Sequence, residues 1–157
     1  MTFALGVRMT IEVRRTEGTF YQAKRTIKEV YNCAYIVSDK ELYPLEKWYN
    51  ILIDKRVDEI TIADVSRMIR QDVVMELAMT KAMDFLQGDV FAGEMYDGQL
   101  LENISRLDAV LLTSYSEKLK AILKDALEKS ETHEWSYEEE KEEFIGIVKI
   151  ISKKLFL

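Results

Sequence analysis

The sequence is poor in nearly everything that interrupts a helix or concentrates chemistry. Its 157 residues include one proline, six glycines, one cysteine and one histidine. The lone cysteine, Cys33, forms no internal disulfide and suits a reducing cytosol. No run of about 18 apolar residues occurs, so no membrane span is expected. The start "MTFALGVRMT" has no long apolar core behind a basic stretch and does not read as a signal peptide. A cytoplasmic protein is therefore expected. Punctuation this sparse favours helices.

The scarcity extends to reactive residues. No G-x-G-x-x-G and no glycine-lysine-serine/threonine segment exists to hold phosphates. A two-metal carboxylate bundle needs a Glu-x-x-His pair on each of two helices, and only His133 is present, in "ETHEW". The segment "GDVFAGEMYDGQLL", residues 88–101, carries Gly88, Gly93 and Gly98 among several acids. It fails the EF-hand test, because the positions alternating from Asp89 are apolar where ligands are required. Cys33 and His133 are a conceivable nucleophile and base, since such pairs assemble in space. No local signature surrounds either, "YNCAYIV" reads as a buried helix end, and His133 is expected in an exposed loop. No metal, no cofactor, no small-molecule substrate and no enzymatic activity are expected.

What the chain has is charge, unevenly spread. The net charge is −6. Residues 1–28 carry six basic side chains against two acids, +4, which leaves 16 basic against 26 acidic, −10, for residues 29–157. A body this acidic repels nucleic acid and attracts basic proteins, although simple solubility explains it as well.

Periodicity supplies the architecture. Residues 7–13, "VRMTIEV", alternate as a half-buried strand or arm does. From Thr19 the period becomes helical, with Phe20, Ala23, Ile27, Val30, Tyr31 and Ala34 on one face. Pro44 suits the first turn of a second helix bearing Leu45, Trp48, Tyr49, Leu52 and Ile53. "TIAD" at 61–64 is a relative of the capping box ahead of Val65, Met68 and Ile69. Val74, Leu77, Ala78, Ala82 and Phe85 form the next inward stripe, which Gly88 should end in a left-handed conformation. Leu100, Leu101, Ile104 and Leu107 follow. "SYSE" at 114–117 and "SYEE" at 136–139 match capping boxes. They precede stripes of Leu119, Ile122, Leu123, Ala126, Leu127 and of Phe144, Ile147, Val148, Ile151, Leu155. The expectation is an all-α fold of six or seven amphipathic helices in one domain, 1–157, with any strand confined to the N-terminal residues.

Residues 58–104 carry a more specific signal. Ile60-Thr61 with Asp64, then Ile69-Arg70-Gln71, then Gly93-Glu94-Met95-Tyr96-Asp97-Gly98-Gln99-Leu100-Leu101 resemble the family of contact-dependent growth inhibition (CDI) immunity proteins. Three positions depart from its pattern. Gln99 replaces an acid, Asp97 stands where proline is frequent, and Asp72 stands where glycine is usual. The resemblance implies a non-catalytic cytosolic protein that binds and neutralises the C-terminal toxin domain delivered by a neighbouring cell. Such toxins are frequently nucleases with basic channels. Residues 1–40 and 110–157 carry none of these motifs, as suits a family whose members each fit a different toxin. The alternative is a helical adaptor or regulatory domain for another basic protein.

Two acidic surfaces are candidates for toxin binding. One is the corner with Asp89, Glu94, Tyr96, Asp97 and Glu102. The other is the start of the last helix, with Glu138, Glu139, Glu142 and Glu143. The glutamates also have a local explanation, since the helix dipole favours acids at its start and Lys149, Lys153 and Lys154 at its end. Tyr96 either packs under the turn or anchors an interface. Neither surface is expected to bind nucleic acid directly or to engage a membrane. Because the glycine segment is read as a corner and not an ion loop, EDTA, calcium or zinc should leave the melting temperature unchanged. A calorimetric shift of several degrees with any of them would restore the ion-loop reading.

Overall fold

The computed structural model describes residues 23–157. The expected strand or arm at 7–13, and the helical stretch before Ala23, lie outside the described residues. The described residues form eight α-helices: α1 (Ile27–Tyr31), α2 (Pro44–Ile53), α3 (Ile62–Gln71), α4 (Met75–Gly88), α5 (Gln99–Ser105), α6 (Ala109–Thr113), α7 (Ser116–Ser130) and α8 (Glu138–Lys154). A short 3-10 turn, Val57–Glu59, follows α2. The protein is mainly helical, as its periodicity indicates. Among the described residues the recorded β pairing is one antiparallel bridge, Thr26 to Arg56.

Local chemistry accounts for the starts of α1, α2 and α3. Pro44 opens α2, and the Tyr43 N–H, left without an intrahelical partner, donates to Glu46 Oε1 at 2.9 Å. At α3 the anticipated box is complete. Thr61 Oγ1 accepts from the Asp64 N–H at 3.2 Å, and Asp64 Oδ2 accepts from the Thr61 N–H at 3.1 Å. Asp64 also takes an ion pair from Lys55 at 2.8 Å, which fastens the end of α2 to the start of α3.

The other two boxes do not form. Ser114 has helical torsions, φ −62 and ψ −20, and closes α6 instead of opening α7. The Ser114 N–H, which Glu117 would serve in a capping box, already bonds back to the Leu111 oxygen. At α8 the extended residue is Tyr137, and the helix begins one residue late. Glu140 still reaches back, accepting from the Ser136 N–H at 3.2 Å.

Other expectations need correction. Asn32 turns left-handed at φ 52 and ends α1, so Ala34 is exposed outside the helix. Gly88 is the last helical residue of α4 and is not left-handed; Asp89 caps the helix with φ −152. Val74 is buried as expected but precedes α4, at φ 46. Leu127 is 43% exposed. Eight residues beyond Leu119 it is rotated by roughly 80°, to the edge of the α7 stripe.

Buried apolar side chains from Ile27 to Leu155 form a hydrophobic cluster, with Tyr49, Met68, Met83, Leu86, Leu101 and Ile104 among its largest fully buried members. Helix α3 packs on α4 and α5, α7 packs on α4 and α8, and α5 packs on α8. Lys154 strengthens the last contact, donating from Nζ to the oxygens of Ser105 at 2.6 Å and Leu107 at 2.8 Å. It therefore serves the orphan carbonyls at the end of α5.

The α3–α4 link explains one departure from the family pattern. Asp72 sits at φ 55, the Asp72 N–H returns to Ile69 and the Val73 N–H to Met68, so the chain reverses as helices ending in glycine do. Aspartate tolerates that conformation but at some cost. Asp72→Gly should therefore raise stability by about 0.5 to 1 kcal/mol, read as a higher urea midpoint at unchanged slope. A lower midpoint would mean that the aspartate side chain contributes more than its strained backbone costs.

Candidate functional site

Residues 89–98 join α4 to α5 in a corner held by its own polar groups. Asp89 Oδ1 accepts from the Phe91 N–H at 2.9 Å, which turns that carboxylate toward its own backbone. The Gly98 N–H donates to Phe91 and the Leu100 N–H to Ala92. Gln99 closes the loop from inside. Its Oε1 accepts from the N–H groups of Glu94 at 2.9 Å and Met95 at 2.8 Å. An acid at this position would offer the same acceptor, so the departure from the family pattern keeps the hydrogen bonds and drops the charge.

Two of the three glycines are required here. A Cβ on Gly93 would collide with the Tyr96 carbonyl. Gly98 has φ +85, and a Cβ there would lie 2.8 Å from Cδ2 of Phe144. Gly88 meets nothing within 4 Å. The Phe144 ring in turn belongs to an aromatic group with Phe91 and Trp135, at centroid distances of 5.0 and 5.4 Å. His133 joins this group, stacked on Phe91 at 3.9 Å. It is 21% exposed and not the free loop residue expected, because the stacking and a 3.0 Å hydrogen bond to Asp97 hold it down.

The outer edge of the corner carries a second polar chain. Tyr96 donates its hydroxyl to Glu102, and Arg106 pairs with the same carboxylate at 3.1 Å. The hydrogen bond to Glu102, helped by partial burial, raises the Tyr96 phenol above its ordinary pKa against the opposing fields of Arg106 and Arg70. Tyr96 is nevertheless 53% exposed. It neither packs under the turn nor stands free.

Tyr96, Asp97 and Glu102 face α8 across an open groove of about 800 Å³. Its other lining residues are Trp135, Ser136, Glu140, Glu143, Phe144, Gly146, Ile147 and Ile150. The two candidate surfaces thus meet along one groove, with one sign of charge on both sides and an apolar floor. Asp89, Glu94, Glu138, Glu139 and Glu142 are exposed and do not line it. Sequence reasoning did not single out Glu140, Trp135 or Ile150, and placed Ile147 only on the inward stripe. Their signal was present, since residues 140, 143, 147 and 150 share a helical face.

No group of three or more His, Cys, Asp or Glu that could hold a metal occurs among the described residues. No helix among them is long and apolar enough to cross a membrane. Cys33 is buried, and burial pushes its thiol pKa up, which keeps it protonated and unreactive. Its sulfur is near the Tyr31 carbonyl, whereas His133 sits in the Phe91 and Trp135 cluster.

The glycines provide a test of the corner. Gly98→Ala should lose at least about 2 kcal/mol of stability, through the left-handed backbone and the displaced Phe144 ring. Gly88→Ala should gain about 0.5 to 1 kcal/mol, because the residue is helical and unobstructed. Denaturant melts of the two variants give the comparison, and similar values for both would contradict this geometry.

A family model described as CDI immunity proteins matches residues 29–122, from α1 into α7. No curated protein matches the chain. The matched span includes the α3 cap, the α3–α4 reversal and the glycine corner, and covers more than half of the sequence: the chain belongs to the family of CDI immunity proteins.

Proposed function

We propose that this immunity protein neutralises its cognate toxin domain in the cytoplasm by direct, non-catalytic binding, and that the toxin is a nuclease whose basic channel complements the acidic body. The observation that carries this reading is the groove, where the family's glycine corner meets α8 with carboxylates on both walls and apolar side chains below. Basic protein surfaces, and not nucleic acid or membrane, fit such a lining. Glu140, Glu143, Gly146, Ile147 and Ile150 also lie beyond the matched residues 29–122. A recognition surface that is half family framework and half particular to the chain suits a protein that must fit one toxin.

Within this reading the two sets of acids have separate roles. Glu138, Glu139 and Glu142 are solvent-exposed charges that steer the encounter, while Tyr96, Asp97, Glu102 and Glu143 line the contact itself. Asp89 and Glu94 are placed to contribute to the field and not to the groove.

The test is binding to the purified C-terminal toxin domain encoded beside this chain. Association should be slowed strongly by salt. Replacing Glu138, Glu139 and Glu142 by Gln should act mainly on the association rate. Replacing Tyr96 and Asp97 by Ala should weaken affinity by at least about 2 kcal/mol, with the helical circular dichroism retained. Unchanged affinity in the Tyr96/Asp97 variant would remove the corner from the interface. Failure of the unaltered chain to bind or rescue growth, with capture of another basic protein, would favour the adaptor reading.

A further inference from the structure

The groove has features that the binding of an acidic protein to a basic one does not by itself require. Glu143 lines it, is exposed, and makes no hydrogen bond or ion pair recorded among the described residues. Asp97 faces it from the corner, and no lysine or arginine is among the lining side chains. Trp135 is fixed by its indole N–H, which donates to the Ser130 carbonyl at 3.0 Å, and by ring contacts to Phe91 and Phe144. A small metal ion would need carboxylates converging on one point, and no such group occurs among the described residues. Carboxylates spaced around an aromatic and aliphatic floor suit a long organic cation instead.

Gly146 adds an independent observation. It sits in the interior of α8, where glycine costs about 1 kcal/mol relative to alanine. A Cβ on it would meet nothing within 4 Å, so close packing does not explain its presence. It lines the groove. Its effect is to leave the α8 wall open between Glu143 and Ile150.

We propose that the groove is a socket for one arginine side chain of the bound toxin, its stem lying over Gly146 and Ile147 and its guanidinium held between Glu143 and Asp97 beside Trp135. This rests on the reading of the partner as a basic protein toxin. Arginine fits better than lysine for physical reasons. Its guanidinium is weakly hydrated, stacks on aromatic rings and meets carboxylates through two parallel hydrogen bonds. A lysine ammonium would give up more hydration on entering an apolar floor and gain less there.

The experiment has two arms. In the first, the isolated chain is titrated with N-acetyl-arginine amide while the indole N–H signals of Trp135 and Trp48 are followed by NMR. Trp48 lies beside Arg67 and serves as the internal control. The Trp135 signal should move and saturate, the Trp48 signal should not, and Asp97→Asn with Glu143→Gln should abolish the response. The neutral isostere N-acetyl-citrulline amide should have no effect; equal shifts with it, or shifts at both indoles alike, overturn the socket. In the second arm, Gly146→Leu fills the groove with a good helix former. The variant should melt at the same or a higher temperature yet bind the toxin domain about tenfold or more weakly. Undiminished toxin affinity in that variant overturns the proposal while leaving the immunity reading intact. Absence of toxin binding by the unaltered chain would instead defeat the reading beneath it, and the arginine titration would still decide the chemistry of the groove.

Discussion

The corner backbone can rest on the Phe144 ring only because residue 98 has no side chain. At φ +85, with a would-be Cβ 2.8 Å from Cδ2 of Phe144, glycine is the one residue that meets both demands. Much depends on that contact. It brings the start of α5 onto α8, and it lets Phe91 and Trp135 pack on the same ring, with His133 stacked in turn on Phe91. With Phe144 under the turn, Tyr96 and Asp97 are held at the lip of the groove and Glu143 rises opposite them. A corner that hung free of α8 would have the same acids and no groove. Burying a phenylalanine contributes about 1.5 to 3 kcal/mol, so one contact both stabilises the fold and shapes its surface.

The parts of this architecture that were legible in the sequence are those governed by local chemistry. The Thr61 and Asp64 box, Pro44 at the first turn of α2 and the helical stripes are all decided within a few residues, and the structure contains them. The serine boxes at 114 and 136 look equally good in sequence and fail, because a cap needs an extended residue and unpaired N–H groups. At Ser114 the preceding helix has already fixed a helical conformation and bonded the residue's own N–H, which no four-residue window can reveal. Helix α6 was invisible for a related reason: Leu112 is its one buried residue, too little to make a stripe. The glycines were misjudged in the same way. Gly88 lies where a helix ends and looked like the left-handed residue, yet the conformational demand falls on Gly98 and on Asp72, where packing and a tight link impose it. The groove was least legible of all, since it depends on which helix lies across the corner.

These observations also bear on what a family motif records. The positions that carry the resemblance, Thr61, Asp64, Gly93, Gly98 and position 99, act on the backbone: they cap a helix, allow a close approach or tie a loop. None needs to touch a partner to be required. These positions build a scaffold, and the scaffold sets a lip that faces α8 across the groove. Asp97 illustrates the division. A proline at this place could not accept the 3.0 Å hydrogen bond from His133 that pins the corner to the loop before α8. That pairing belongs to this chain's own surface.

Electrostatics follow the same division. At the corner the charges are largely engaged: Glu102 by Arg106 and Tyr96, Asp97 by His133, Asp89 by its own backbone. Exposed pairs of this kind add about 0 to 1 kcal/mol each to stability, but each reduces the field that reaches an approaching molecule. The outward charge at this end of the molecule is therefore greatest along the first turns of α8, where Glu138, Glu139, Glu142 and Glu143 have no ion pair recorded among the described residues. A charge a Debye length away, roughly 8 to 10 Å at physiological salt, senses mainly the helix, whereas the corner acts at contact, through shape and fixed hydrogen-bonding groups. The acids that looked like rivals in the sequence thus act at different distances from a partner, and the groove is where the two ranges meet.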